Sequence, residues 1–332
     1  MKWARVLGIG LCLTVVLGCG QRERTSGRLT IAVIPKGTTH VFWQSVHAGA
    51  QKAAAELNVD VDWVGPEKED DRQQQIALVD NQVMKRVAGI VLAPLDALAL
   101  RRPVESAARR GVPVVIIDSD LRGSPDAYVS FVATDNREGG RIAARALAEL
   151  LDNQGRVVLL RYMEGSASTE NREAGFLEVI KQLARITVVS EEQHAGATAA
   201  QALQASENLL MRFKDPAGEL TIDGIFCPNE SSTYGMLQAL RRQRLAGKVR
   251  FVGFDASPPL IEALRRGEID GLVVQNPFRM GYLGVMTLYE HLQGQQVPKV
   301  IDTGVTLVNR NNIEEAHIQE LINPELEKWL GK

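Results

Sequence analysis

The sequence predicts an α/β fold with parallel sheets, and three observations support this prediction. Short runs rich in β-branched residues alternate with longer helical patterns from Leu29 onward. Several of the short runs are almost wholly apolar, as at 112–117, which is typical of parallel strands that are buried on both faces. About 305 residues follow residue 27, and this length corresponds to two domains.

The predicted strands span 29–34, 59–64, 88–93, 112–117, 128–132, 156–161, 186–190, 222–227, 248–253 and 271–275. The predicted helices carry alanine and other apolar residues at spacings of three and four. They span 43–57, 137–151, 168–183, 197–213, 231–243, 257–266 and 279–293. Ser168 and Ser257 stand where a residue that caps a helix is expected.

The first residues predict an exported protein. Lys2 and Arg5 precede an apolar run at 6–17, which is the order of charge and apolar sequence in a secretory signal. The run is too short to span a bilayer, since a transmembrane helix needs about 20 apolar residues. The sequence therefore predicts a protein of the cell envelope, in the periplasm or on the extracytoplasmic face.

The apolar run ends in Val16-Leu17-Gly18-Cys19, which resembles the lipobox of bacterial lipoproteins. The resemblance implies a lipoprotein signal peptide at 1–18, an acylated Cys19 that anchors the mature chain in a membrane, and a polar tether at 19–27. The alternative is an ordinary secretory signal in which Cys19 is incidental.

Charge and cysteine content exclude other classes of protein. The 38 lysines and arginines nearly balance the 40 aspartates and glutamates, and no block of like charge stands out, so nucleic acid is not the expected partner. Of the three cysteines, Cys12 lies in the signal and Cys19 is the expected anchor. Cys227 is therefore left without a disulfide partner, and its apolar surroundings predict a buried small hydrophobic side chain.

Sequence motifs of the common enzyme classes are missing. The turns between strands and helices lack the glycine-rich dinucleotide and phosphate loops and the Gly-x-Ser-x-Gly nucleophile turn. The five histidines are scattered along the chain without the spacing of a metal site. Asp118 and Asp255 would be able to perform acid–base chemistry, but we expect them to act as hydrogen-bond acceptors. The sequence thus predicts a protein that is not an enzyme and has neither a cofactor nor a metal.

Polar and aromatic residues recur just after the predicted strands. They are His40, Phe42 and Trp43 after the first strand, then Asp118, Asn229, Asp255 and Gln275 at the ends of later strands. Ligands of open parallel sheets bind in the crevice outside the carboxyl ends of the strands, so we expect these side chains to meet there. The alternative for each of them is a helix cap or a turn residue.

The same residues lie within a longer set of short motifs. These are Phe42-Trp43, Pro113-Val114-Val115-Ile116-Ile117-Asp118, Ala133-Thr134-Asp135-Asn136, Gly139-Gly140, Arg172, Gly175-Phe176, Val252-Gly253-Phe254-Asp255 and Gln275. In this order and spacing they resemble the type I periplasmic binding proteins, and the ribose-binding group in particular. The resemblance runs from about Leu29 to Leu307.

The resemblance implies two doubly wound lobes, each with a parallel sheet, joined by a hinge of three strands. The N-terminal lobe is expected at 28–134 and 276–303, and the C-terminal lobe at 135–275 and 304–332. A ligand site is expected between them. The resemblance places Phe42, Trp43 and Asp118 in the first lobe, and Arg172, Asn229, Asp255 and Gln275 in the second lobe or the hinge.

These side chains suit a sugar. Planar carboxylate, amide and guanidinium groups bond adjacent hydroxyls in pairs, and aromatic rings cover the apolar faces of a sugar. The alternative for Phe42 and Trp43 is a place in the hydrophobic core.

Departures from the ribose pattern argue against ribose itself. Lys36 and His40 add bulk after the first strand, Ser119 stands where ribose binders have arginine, and no aromatic residue is found around 196–197. His40 is a candidate ligand contact. Lys36 is expected to contact a ring hydroxyl, to bind an acidic ligand, to pair with Asp118 or Glu230, or to remain exposed as a strand-end lysine.

The predicted function is therefore that of a monomeric substrate-binding lipoprotein, which hands a monosaccharide or similar polyhydroxy solute to the permease of an ABC importer. Two alternatives belong to other classes. A sugar-responsive repressor would need a helix-turn-helix segment before the first strand, where the signal and tether stand. A sensor would present a sugar or an autoinducer-2-like signal to a chemoreceptor or a histidine kinase.

Overall fold

The computed structural model describes residues 28–123 and 125–331, and these residues form two α/β lobes. The strands are Thr30–Ile34 (β1), Asp60–Trp63 (β2), Gly89–Leu92 (β3), Val114–Ile117 (β4), Ser130–Ala133 (β5), Gly155–Leu159 (β6), Ile186–Ser190 (β7), Gly224–Phe226 (β8), Arg250–Phe254 (β9), Gly271–Gln275 (β10), Val300–Asp302 (β11) and Val305–Val308 (β12). The predicted signal peptide, Cys19 and the tether lie outside the described residues.

Helices cover both faces of each sheet. They are Val41–Leu57 (α1), Arg72–Met84 (α2), Arg101–Arg109 (α3), Asn136–Leu150 (α4), Ala167–Ile180 (α5), Ala199–Arg212 (α6), Glu230–Arg242 (α7), Pro258–Arg265 (α8), Pro277–Leu292 (α9), Ala316–Ile322 (α10) and Leu326–Leu330 (α11). In the part of the chain that the structure describes, no helix has the length and apolar character needed to cross a membrane.

Each lobe is built on one six-stranded sheet. Lobe one has the strand order β11-β5-β4-β3-β1-β2, and lobe two has the order β12-β10-β9-β8-β6-β7. Neighbouring strands are parallel throughout lobe one, whereas β12 pairs with β10 in the antiparallel direction. The predicted α/β class with two lobes is confirmed, but two strands were not predicted, namely β11 at the edge of lobe one and the antiparallel β12 at the edge of lobe two.

The chain passes between the lobes three times. It leaves lobe one after β5 near 134–135, returns after β10 at Asn276, and crosses again between β11 and β12 at 303–304. The last helix, α11, packs against α1 of lobe one, although the strand before it belongs to lobe two. The C-terminal residues therefore contact both lobes.

The cores explain why ten of the twelve strands in the described residues were predicted. Every residue of β3 and β4 is buried, and alternate side chains of β1 pack against helices on opposite faces of the lobe-one sheet. Cys227 lies fully buried in the core of lobe two, and burial raises the pKa of its thiol well above the usual range. Its prediction as a buried hydrophobic side chain is confirmed.

Close contact between α4 and α5 sets the position of the arginine that reaches the site. A Cβ atom at Gly140 on α4 would collide with the backbone carbonyl of Arg172 on α5, so only glycine allows the two backbones to touch. The prediction that Ser168 caps the latter helix is wrong. The N-cap residue is Ser166, and Ser168 lies inside the first turn, where its hydroxyl accepts a hydrogen bond from Lys36 instead.

Candidate functional site

A cleft between the lobes brings together the side chains that the sequence singled out. The strand order reverses at β1 in lobe one and at β6 in lobe two, and the carboxyl ends of the neighbouring strands face this cleft. A cavity of about 30 Å³ remains between the lobes. Its lining contains all nine predicted residues, namely Lys36, His40, Phe42, Trp43, Asp118, Arg172, Asn229, Asp255 and Gln275.

Lys36 and Asp118 form a buried ion pair. The Lys36 ammonium nitrogen lies 2.6 Å from a carboxylate oxygen of Asp118, and the two residues are only 4% and 3% exposed. Lys36 follows β1 and Asp118 follows β4, so the pair joins two strand ends of lobe one. The alternative that Lys36 remains exposed as a strand-end lysine is therefore wrong. Asp118 supplies the opposite charge that a buried ammonium needs.

Lys36 also reaches across the cleft to lobe two. It donates hydrogen bonds to the hydroxyls of Ser166 and Ser168, at 3.3 and 3.0 Å, and to Ser119 of its own lobe at 2.7 Å. The Ser119 hydroxyl accepts a further bond from the backbone N–H of Ser168. Serine at position 119 therefore leaves room for an amino group that bridges the lobes.

His40, Trp43 and Glu69 form a second buried group in lobe one. The Trp43 indole N–H donates to Glu69 Oε1 at 2.7 Å, and His40 Nδ1 lies 2.9 Å from the same oxygen. Burial lowers the pKa of His40, but the hydrogen bond to Glu69 and its negative charge outweigh this and raise the pKa to about 9. Burial raises the pKa of Glu69, yet His40 and Lys36 bring it to about 2. His40 is thus a cation paired with an anion.

Tyr162 completes this group from lobe two. Its hydroxyl donates to Glu69 Oε2 at 2.9 Å and lies 3.4 Å from the carbonyl oxygen of Ala197. Tyr162, which lies three residues after the end of β6, thus brings an aromatic side chain close to 196–197, where the sequence has none. Burial, followed by the charge of Glu69, raises the pKa of Tyr162 well above its usual value, which keeps the hydroxyl a donor.

Arg172 is a fully buried cation whose guanidinium is only partly hydrogen-bonded. Its Nε donates to Asn136 at 2.7 Å, and its Nη1 donates to the Pro228 carbonyl at 2.9 Å. The guanidinium stacks 4.0 Å above the centre of the Phe254 ring. Burial lowers its pKa, while the charge of Asp255 opposes that shift. Its Nη2 is buried and has no hydrogen-bond partner among the described residues.

Asp255 and Gln275 hold one another at the ends of β9 and β10. The Gln275 amide nitrogen donates to Asp255 Oδ1 at 2.7 Å, and the other carboxylate oxygen accepts the backbone N–H of Glu230 at 3.0 Å. Within the described chain, the amide oxygen of Gln275 is buried without a partner. Two residues of the cleft lining, Gln275 and Arg172, therefore each have an unbonded polar atom, an acceptor and a donor respectively.

The two aspartates share an unusual backbone conformation. Asp118 has a φ angle of 62° and Asp255 a φ angle of 69°, and both therefore lie in the left-handed region. Few residues other than glycine adopt it, although aspartate tolerates it better than most. This turn at the strand end aims each carboxylate into the cleft rather than along the sheet.

Asn229 has a structural role as well as a place in the lining. Its side chain accepts the backbone N–H of Ser232 and so caps α7, and its amide nitrogen donates to Ser231. The helix-cap alternative is thus realised at this position, where Asn229 also borders the cleft. Glu230, the next residue, is half-buried, and burial raises the pKa of its carboxylate to about 7 against the charge of His40.

Phe42 and Trp43 differ in how deeply they are buried. Trp43 is 2% exposed and packs in the lobe-one core with Val46 and Ala50, whereas Phe42 is only half-buried and borders the core. The rings meet edge to face with centres 4.8 Å apart. Trp43 thus packs in the core and also lines the cleft, while its contact with a ligand stays a prediction.

Sequence reasoning missed part of the lining. Glu69, Tyr162, Ser166, Ser168 and Thr169 line the cleft but were not predicted there. The strand-end rule would have found Tyr162, since it follows β6 closely. Glu69 gave no such signal, because it sits in the charged run 67–71 that is typical of a solvated loop.

A larger cavity of about 620 Å³ lies elsewhere, beside the crossings at Asn276 and 303–304 and under α10 and α11. Most of its polar lining residues are exposed or half-exposed, and it contains neither buried ion pair. We assign the functional site to the cleft because opposed charges are buried there and Arg172 lines it, whereas the larger cavity shares only Gln275 with the cleft. The described residues hold no cluster of histidine, cysteine, aspartate or glutamate suited to a metal ion.

Known proteins resemble this chain over most of its length. A family model described as a periplasmic binding protein domain matches residues 31–296. The D-allose-binding periplasmic protein of Escherichia coli is 29% identical over 274 residues, which cover 80% of this chain and 86% of that protein. The ribose import binding protein of Haemophilus influenzae is 27% identical and covers 90% and 98% of the two chains.

Solved structures agree with the sequence comparison. A carbohydrate transporter solute-binding protein from Agrobacterium radiobacter, in complex with D-arabinose, has a TM-score of 0.84 and 36% identity. The match covers 90% of this chain and 100% of that chain. An ABC transporter solute-binding protein from Agrobacterium vitis with bound D-fucose has a TM-score of 0.84 and 33% identity, over 89% and 100% of the two chains. The chain therefore belongs to the periplasmic binding protein family, in the type I group that includes the ribose-binding proteins.

Proposed function

We propose that this protein binds a monosaccharide or a similar small polyhydroxy solute between its lobes and delivers it to the permease of an ABC importer. One observation carries the proposal. Arg172 and Gln275 line the cleft with Asp118, and each has a buried side-chain atom, a donor on Arg172 and an acceptor on Gln275, without a hydrogen-bond partner among the described residues. Sugar hydroxyls both donate and accept hydrogen bonds, so neighbouring hydroxyls satisfy all three groups at once.

The charges of the cleft favour a neutral solute. Lys36 faces Asp118, His40 faces Glu69, and the charge of Asp255 stabilises that of Arg172, so each cation already has an anion. A phosphate would bring further negative charge to a site in which each of these cations already faces an anion. The names of the relatives, which refer to allose and ribose, and the arabinose and fucose complexes support a neutral sugar.

The proposed mechanism is a hinge equilibrium between open and closed lobes. Lobe one supplies Phe42, Trp43 and Asp118, and lobe two supplies Arg172 and Asp255, so a ligand that touches both sets stabilises the closed form. We take the three crossings as the hinge. The moving units are the predicted lobes at 28–134 with 276–303 and at 135–275 with 304–332, except that α11 travels with α1. No catalytic step is proposed.

Neutral sugars are expected to raise the unfolding temperature of the protein without its signal segment. At a ligand concentration of about 100 dissociation constants, binding to the native state adds roughly 2.7 kcal/mol to the free energy of unfolding. A thermal-shift screen with D-arabinose, D-ribose, D-allose and D-fucose, beside ribose 5-phosphate and AMP, checks this. Shifts with the phosphorylated compounds alone would contradict the proposal.

We also propose that the mature protein is a monomer held at the cell envelope by a lipid on Cys19. The Val16-Leu17-Gly18-Cys19 motif after the apolar run supports this anchoring. In cells that are fed labelled palmitate, we expect the wild type to carry the label and Cys19→Ala to lose it. Cys227→Ala is the matched control and should stay labelled. Equal labelling of wild type and Cys19→Ala would show that another residue, or none, is acylated.

A further inference from the structure

We propose that Glu69 is a positioning residue, which orients Trp43 and His40 on the lobe-one side of the cleft and links that orientation to closure through its hydrogen bond from Tyr162. The proposal rests on the proposed function, since closure matters here because it encloses a sugar. Glu69 acts through these neighbours and needs no contact of its own with the ligand.

Both oxygens of Glu69 are already in use. Oε1 receives the Trp43 indole N–H and lies against His40 Nδ1, while Oε2 receives the Tyr162 hydroxyl. A carboxylate surrounded by three donors is stable as a buried anion without any help from a ligand. Glu69 therefore holds His40, Trp43 and Tyr162 in position beside the cavity.

The three donors come from different lobes. His40 and Trp43 stand at the start of α1 in lobe one, whereas Tyr162 follows β6 in lobe two. Tyr162 is itself fixed within lobe two, because its backbone N–H donates to the buried carboxylate of Glu173 at 3.0 Å. Opening of the lobes therefore breaks the bond from Tyr162 and leaves the two bonds within lobe one intact.

Gly37 leaves space for the side chain of Glu69. A Cβ atom at Gly37 would lie 2.9 Å from Cγ of Glu69, so glycine after Lys36 allows the carboxylate stem to pass. Glu69 is 8% exposed, and Tyr162 is 1% exposed. The bond between them is thus shielded from water, unlike the contact between the lobes that Arg72 makes with the Glu164 carbonyl at the exposed rim.

The test removes only the hydroxyl that crosses the cleft. In Tyr162→Phe we expect the affinity for D-arabinose and D-allose, measured by calorimetry, to fall about ten-fold, since a hydrogen bond to a charged group is lost from the closed form alone. Stopped-flow measurements should place most of the loss in faster dissociation. The matched control is Tyr282→Phe, which removes a 2.7 Å hydroxyl–carboxylate bond to Glu56 within lobe one and should bind as the wild type does.

A second measurement needs no sugar. His40 is expected to titrate near 9 by NMR in the wild type and to move toward 6.5 in Glu69→Gln, which keeps the side-chain shape but removes the charge. If neither sugar binds the wild type while this titration moves, the proposed function fails and the positioning of His40 stands. Wild-type affinity in Tyr162→Phe, or an unchanged His40 titration in Glu69→Gln, would overturn this proposal.

Discussion

Alanine in place of Asp118 is expected to weaken sugar binding by roughly 2 to 4 kcal/mol, which is about 30- to 700-fold in the dissociation constant. The carboxylate lies 2.6 Å from the Lys36 ammonium in a cleft that excludes water. Its loss leaves a buried cation without an anion and removes an acceptor for a ligand hydroxyl. Calorimetry with the sugar that gives the largest thermal shift measures the effect.

The control for this variant lies on the same turn. Asp120 accepts the hydroxyl of Tyr128 and is outside the cleft lining, so Asp120→Ala should change stability only modestly and leave affinity unchanged. The double variant Lys36→Met with Asp118→Leu removes the ion pair as a unit. We expect it to recover stability relative to Asp118→Ala without recovering binding. Sugar affinity in Asp118→Ala equal to that of the wild type would show that the ligand site lies elsewhere.

The central strands were predictable from the sequence because they are buried on both faces, whereas β11 and β12, which are mostly exposed or half-buried, were missed. Two helices of lobe one were not predicted, and α2 shows the physical reason. Its buried face carries Gln75 and Gln82 in place of apolar residues, which hides the helical period. Gln75 donates to the carbonyls of Pro35 and Ala93 and accepts the Leu95 N–H, so it acts as a polar clamp between strand ends.

The strand-end rule found much of the cleft for a reason that holds in any parallel sheet. Asp118, Asp255 and Gln275 come directly after or at the ends of strands whose carboxyl ends share one edge. Glu69 follows β2 through a charged loop, and only the tertiary structure brings it beneath Trp43. The partner of Lys36 was likewise undecided between Asp118 and Glu230, because sequence spacing does not show which strand ends are adjacent in the sheet.

Replacement of Trp43 with alanine is expected to lower the free energy of unfolding by about 3 to 5 kcal/mol. Trp43 is 2% exposed, packs in the lobe-one core, and donates a hydrogen bond from its indole N–H to Glu69 at 2.7 Å. Its loss would create a cavity and leave a buried carboxylate with one donor fewer. Urea unfolding of the sugar-free protein, followed by circular dichroism, gives the change in free energy.

Phe42→Ala is the matched comparison, because the two rings are adjacent on α1 and touch edge to face. Phe42 is only half-buried, so its loss should cost less stability than that of Trp43 while still removing apolar contact with a sugar ring. Trp43→Phe keeps most of the core volume but not the indole N–H, and it separates packing from the bond to Glu69. If Trp43→Ala unfolds at the same urea concentration as the wild type, Trp43 is a cleft residue without a core role, and its assignment to the lobe-one core is wrong.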